Sequence, residues 1–119
     1  MQPTILVKRV YEKPSPKDGY RILVDRLWPR GEKKEAAAIQ EWAKDLAPTN
    51  ELRKWFGHEP DRWPEFQKKY KAELKKNGLV TDFIEKHRAH KVITLVYGAK
   101  DEAHNQALVL QDYLQQQYK

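Results

Sequence analysis

The chain has 119 residues, a formal charge of +6, 34% charged and 39% apolar residues, four Trp, six Tyr, three Phe and no cysteine. That length suits a single domain, residues 1–119, burying roughly two-thirds of its unfolded surface in one core, and the aromatic content supplies large buried faces that disordered chains lack. The missing cysteine excludes disulfides, thiolate nucleophiles and sulfur-based zinc sites, and no run approaches the roughly 18 apolar residues of a membrane span or the apolar core of a secretory signal.

The expected location is therefore the cytoplasm. Any catalysis would rest on His, Asp, Glu, Lys, Arg or Tyr, because the one serine, Ser15, lies between Pro14 and Pro16 rather than on a glycine-flanked nucleophile elbow. In chain order, Thr4 to Val10 reads as a first strand around the apolar Ile5 to Val7. Tyr11 to Gly19 is a loop or a single helical turn broken by Pro14, Pro16 and Asp18-Gly19. Tyr20 to Leu27 reads as a second strand. Between Ala36 and Ala47 alanine favours a helix from Glu35 to about Glu41, whereas Trp42, Lys44 and Leu46 alternate with period two; a short strand before Pro48 is the preferred reading.

Thr49 suits a helix N-cap, with Glu51 in the first turn, Leu52, Trp55 and Phe56 on one face, and Gly57 closing the helix. Asp61 caps the next helix in this reading. Pro64 sits in its first turn, and Trp63, Phe66, Tyr70 and Leu74 form its apolar stripe until Asn77-Gly78 stops it. A short helix from Thr81 to His87 leads into Val92 to Tyr97, an apolar, β-branched run without alternation, as expected of a strand buried on both faces. Asp101 is the expected cap of the last helix, with Ala103, Ala107, Leu110 and Leu114 facing inward. The implied class is α/β: a small three-layer domain with a mainly parallel sheet of three to four strands flanked by helices.

A pI near 9.5 would favour polyanions by non-specific attraction. Much of the excess, however, lies in Lys68, Lys69, Lys71, Lys75 and Lys76, interleaved with the apolar stripe of one helix, which reads first as a solvated helix face.

Three polar constellations stand out. Asp25, Arg26, Trp28 and Arg30 follow the second strand, where open α/β sheets bind ligands, and combine guanidinium forks for phosphate or carboxylate with an indole for stacking. The other reading is an Asp25–arginine ion pair that pins the loop. Tyr97 to Asn105 forms a strand-to-helix junction suited to anions, with Lys100 adding charge and His104 placed near the same loop, though without the glycine spacing of a P-loop. Arg53 and His58 lie at the end of the Thr49 helix, and His58 suits a general base or a helix-end donor. His58, His104, Asp25 and Asp101 lack the paired spacing of a zinc site, and no metal is assigned.

Arg26-Leu27-Trp28-Pro29-Arg30-Gly31, Leu46-Ala47-Pro48, Leu52 to His58, and Tyr97 to Asn105 resemble, in order and over nearly the whole chain, the YeaO-like family of bacterial domains of unknown function. The resemblance implies a small α/β domain with a mainly parallel sheet; it assigns no activity and no cofactor. Carried over by position, its polar signature is Asp25, Arg26, Arg30, Arg53, His58, Lys100, Asp101, His104 and Asn105. Thr49 stands where relatives usually have Ser, and Glu59 where they usually have Asp; the longer Glu59 argues against a tightly placed catalytic carboxylate. The resemblance also favours parallel first strands. An antiparallel hairpin would send Lys8 and Arg9 to the end opposite Asp25.

The sequence therefore points to a domain binding, and conceivably turning over, a small anionic or phosphate-bearing molecule. Arg26, Arg30, Arg53, Lys100 and Asn105 would hold the anion, Trp28 or Tyr97 would stack, and His58 or His104 with Asp25 or Asp101 would move protons. The alternatives are a nucleic-acid-binding module using the net positive charge and a non-catalytic interaction domain. Enzymatic activity and oligomeric state are left open.

Overall fold

The computed structural model describes residues 2–118. Its main elements are β1 (Thr4–Arg9), β2 (Tyr20–Leu23), α1 (Lys34–Ala37), β3 (Glu41–Trp42), α2 (Asn50–Phe56), α3 (Trp63–Lys76), α4 (Leu79–His87), β4 (Val92–Tyr97) and α5 (Gln106–Gln117). The four strands form one sheet in the order β1-β4-β2-β3, and each neighbouring pair is parallel. Because β4 lies between β1 and β2, the first two strands cannot form a hairpin. In register, Arg9 lies opposite Tyr97 and Leu23 opposite Val96, so the chain leaves all three strands at one edge of the sheet.

Residues Ile93 to Tyr97 are all buried, as the unbroken apolar run requires of a central parallel strand. On one face Ile5, Ile22, Ile93 and Leu95 join Phe66, Tyr70, Leu74, Val80, Phe83, Leu110 and Leu114 from α3, α4 and α5 in the main core. On the other, Leu23 and Val96 meet Val10, Ala37, Ile39 and Trp28. This third layer is thin, a single turn of helix and its loops. It is tied to the sheet by the buried Arg21, which donates to Ala37 O at 2.8 and 3.0 Å and to Asp18 Oδ2 at 2.6 Å.

Several elements differ from the sequence reading for local reasons. β2 ends at Leu23 instead of running to Leu27. Val24 N still donates to Val96 O, but the Asp25 carbonyl then turns to the Trp42 indole N–H at 2.7 Å and leaves the ladder. The Glu35–Glu41 helix shrinks to the one-turn α1 because Ala38 adopts a left-handed conformation. β3 is only Glu41–Trp42, and Lys44–Leu46 is a 3-10 turn.

Thr49 caps α2 through its Oγ1 at 3.2 Å from Leu52 N, and Glu73 of α3 holds both the Thr49 hydroxyl and its N–H. Asp61 does not cap α3; a 3-10 turn, Pro60–Arg62, leads into the helix, whose first turn carries Pro64. α4 starts at Leu79, two residues before the expected Thr81. The cap of α5 is Asn105, with its side chain accepting from Leu108 N, and not Asp101. Ala103 consequently lies outside α5 and is exposed, while Ala107, Leu110 and Leu114 are fully buried as expected.

Candidate functional site

The strand ends carry a cleft of about 290 Å³ assembled from three segments. The loop after β2 contributes Asp25 to Arg30, the end of α2 contributes Arg53, Phe56 and His58, and the β4–α5 junction contributes Gly98, Ala99, Asn105 and Gln106; Tyr11, Pro48 and Phe66 complete the wall.

Asp25 lies deepest in its electrostatics. Its Oδ2 accepts the Gly98 backbone N–H at 2.9 Å, and its Oδ1 accepts the side-chain amide of Gln106. A Cβ at position 98 would sit 2.9 Å from Asp25 Oδ2, so any side chain there would displace the carboxylate. Burial pushes the Asp25 carboxyl up to about 6, against the opposing pull of the Gly98 N–H, the Gln106 amide and the Arg53 charge. The Asp25–arginine ion pair that sequence leaves open is absent among the described residues.

Arg26 is partly committed to the fold, donating Nε to Pro48 O at 2.8 Å and Nη2 to Ala47 O at 3.1 Å. Those bonds tie the β2 loop to the segment leading into α2. Among the described residues, the Arg53 guanidinium hydrogen-bonds only the Asn50 side chain, at 3.4 Å, and Arg30 is exposed at the mouth, where its carbonyl accepts from the Tyr11 hydroxyl. Trp28 donates its indole N–H to Glu32 O at 2.7 Å, bracing the loop, and packs edge-on against Trp42. His58 follows the left-handed Gly57 and is itself left-handed at φ 59, an uncommon and strained conformation for a non-glycine residue.

The structure does not bring every candidate to the cleft. Tyr97, Lys100, Asp101 and His104 are not on its wall. Tyr97 is buried in the main core and Lys100 is exposed. Asp101 accepts His104 Nδ1 at 2.8 Å and the Ala103 and His104 N–H groups, which hold its carboxyl below the usual range. The His104 ring packs edge-on to Trp63. Asn105 reaches the wall, but its side chain is spent on capping α5 and on Asp101 O. Among the described residues, no three His, Asp or Glu side chains are grouped to hold a metal ion.

Gln106 and Gly98 are cleft residues that sequence reasoning passed over. A glutamine opening a helix and a glycine after a strand carry no separate signal; only their shared contact with Asp25 distinguishes them. Arg9 is a further bracing residue, its Nε donating to Ala99 O at 2.9 Å, whereas Lys8 turns to Asp18.

Residues 4–119 match the model of the family described as "Inactive DUF488-N3 subclade". The chain belongs to this family. It is 44% identical over 110 residues to "Uncharacterized protein YeaO" of Escherichia coli (strain K12), covering 92% of this chain and 96% of the relative. It is 39% identical over 110 residues to "Uncharacterized protein Rv3073c" of Mycobacterium tuberculosis (strain ATCC 25618 / H37Rv), covering 92% of each. "Uncharacterized protein Mb3100c" of Mycobacterium bovis matches to the same extent. The YeaO-like resemblance read from the motifs is thus a family relationship, in a DUF488-N3 subclade of unknown function, and the parallel α/β sheet is the architecture it implied. No solved structure matches significantly.

Proposed function

We propose that the cleft binds a small anionic molecule and holds it without turning it over. One observation carries the reading. Arg26, Arg30 and Arg53 share the cleft wall with His58, no carboxylate pairs with any of these arginines among the described residues, and Asp25 is the one acidic side chain on the wall. Guanidiniums without a carboxylate partner, gathered in a concave site, offer charge-assisted hydrogen bonds to phosphate or carboxylate. Arg26 has Nη1 left for such a bond. Tyr11, Trp28, Phe56, Pro29 and Pro48 supply apolar wall, and the volume lies near the lower end of the roughly 300–1,000 Å³ of small-molecule sites.

Retention without turnover is favoured by three features. Beside Tyr11, Asp25 and His58 the wall has no Ser, Thr, Lys or Cys nucleophile, the Asp101–His104 pair stands off it, and the family description is "Inactive". The α3 lysines are a weaker basis for the nucleic-acid reading. Lys71 is paired with Asp112 and Lys69 covers Trp55, so the basic face is partly spoken for. Among the described residues, no helix is long and apolar enough to cross a membrane.

Calorimetric titration with inorganic phosphate and sugar phosphates tests the proposal, with ligand NMR over hours as the check for conversion. Wild type should bind, Arg53→Ala and Arg30→Ala should each weaken binding about 10- to 100-fold, the loss of about 1.5–3 kcal/mol expected for a charged hydrogen bond, and the ligand should be recovered unchanged. Unaltered binding in both variants, or tight oligonucleotide binding that collapses with salt and no small-anion binding, would overturn it.

A further inference from the structure

We propose that the occupant of this cleft is bipolar: an aromatic anion that also carries an exocyclic amino group, with Asp25 receiving that donor while the arginines hold the anionic end. The inference rests on the anion-binding reading and explains what that reading leaves over, a carboxylate inside a site built for negative charge.

The carboxylate is positioned by the fold and not tolerated by accident. The β4–α5 junction, 73 and 81 residues away in sequence, aims it, with the Gly98 N–H on one oxygen and the Gln106 amide on the other, and a Cβ at position 98 would sit 2.9 Å from Oδ2. An ionised carboxylate accepts about four hydrogen bonds, so each oxygen keeps capacity that these two donors do not use. No cation pairs with it among the described residues, although three guanidiniums stand on the same wall. A carboxylate withdrawn from water with no cation in contact, and only the more distant Arg53 charge opposing its burial, still costs the fold stability that a donor from a ligand would offset.

The geometry restricts that something. Arg30 and Arg53 are exposed, whereas Asp25 is half-buried on the inner side, so an anionic group at the mouth and a nitrogen donor farther in satisfy both at once. Phe56, Trp28 and Tyr11 on the wall suit a flat ring. A mononucleotide whose base bears an exocyclic amine has this chemistry, with its phosphate on the guanidiniums and its amine on Asp25. Its oxo counterpart presents a carbonyl oxygen to the same carboxylate and is repelled.

Two ligand pairs test the amine, because each pair shares one phosphate and differs in an exocyclic amine beside a bare ring nitrogen against a carbonyl beside a ring N–H: CMP against UMP, and AMP against IMP. With wild type at neutral pH, the amine-bearing member of at least one pair should bind about 10-fold tighter. In Asp25→Asn, which offers both a donor and an acceptor, that preference should vanish while binding of inorganic phosphate persists. Should Asp25→Asn fold poorly, the wild type alone decides: the preference should shrink as pH is lowered through about 6, where the carboxyl takes up its proton. Equal binding within both pairs, or a preference that survives both Asp25→Asn and acid, overturns the bipolar occupant and leaves the anion site standing. Failure of the nucleotides and of phosphate alike overturns both.

Discussion

At the scale of single residues, Asp25 makes the cleft a source of instability that pH exposes. Its carboxyl titrates near 6 in the folded chain and near the ordinary 3.8 when unfolded. The folded state therefore binds the proton more tightly, so the stabilisation from a protonated Asp25 is fully present below about 3.8 and is lost as pH rises through about 6. Two pH units correspond to about 3 kcal/mol, which solvent at the half-buried side chain reduces to the order of 2 kcal/mol. Asp25→Asn does not titrate. Relative to wild type it should gain stability as pH rises from about 4 to about 7, read from urea midpoints at each pH; parallel profiles would show that Asp25 is not desolvated as described. His58 is a second instance of strain at the cleft, through its left-handed backbone. Function-bearing positions commonly run against stability in this way.

Elements place the groups that residues cannot place alone. α4 ends on His87, fully buried among the rings of Tyr20, Phe83 and His90 at 5.1, 4.4 and 5.3 Å. Its Nε2 lies 3.2 Å from Glu41 Oε1 without hydrogen-bond geometry, and Nδ1 has no partner. Burial depresses its pKa, with His90 and Lys86 adding to the effect and Glu41 opposing it. Folding thus favours neutral His87, and stability is lost as pH falls below the ordinary 6.5 toward the folded value. Against His87→Phe, wild type should therefore lose ground between about pH 7 and about pH 5 in thermal melts. An unchanged gap would mean that the ring titrates in the fold as it does in the unfolded chain.

The same scale explains what sequence made legible. The Val92–Tyr97 strand, the Thr49 cap and the Phe66, Tyr70, Leu74 stripe depend on neighbours within a turn or two, and they fold as read. Asp101 is read as the cap of α5 on residue type, but Asn105 has the same capping chemistry four residues later. The structure uses Asp101 for the preceding turn and gives the helix to Asn105, whose Nδ2 bonds back to Asp101 O. The alternation of Trp42, Lys44 and Leu46 was misleading because a 3-10 turn also brings Leu46 to the core. In the cleft, the arginine-bearing loop after β2 and the end of α2 were readable from residue type and place. The Asp25 contacts with Gly98 and Gln106 were not, since they join positions 73 and 81 residues apart and leave no local pattern.

For the molecule as a whole, the cleft exists because three parallel strands end together beneath loops widely separated in the chain. Each loop brings a different kind of group: the β2 loop its guanidiniums and carboxylate, α2 its arginine and histidine, and the β4–α5 junction the donors that orient the carboxylate. The central place of β4 also has a consequence for how the chain acquires its shape. β1 and β2 are close in sequence yet never touch as neighbours, because the strand that joins them is made only at residues 92–97. During synthesis, the segment from β1 to α4 therefore has helices to form but no completed sheet until β4 follows, and ordering waits on pairings of long sequence separation, which are slow to close. A chain truncated after Arg88 should lack a cooperative unfolding transition while retaining helical circular dichroism. A cooperative melt in that fragment would mean that β1 and β2 can find each other directly. In the intact protein, β4 is the keystone on which the strands made before it wait.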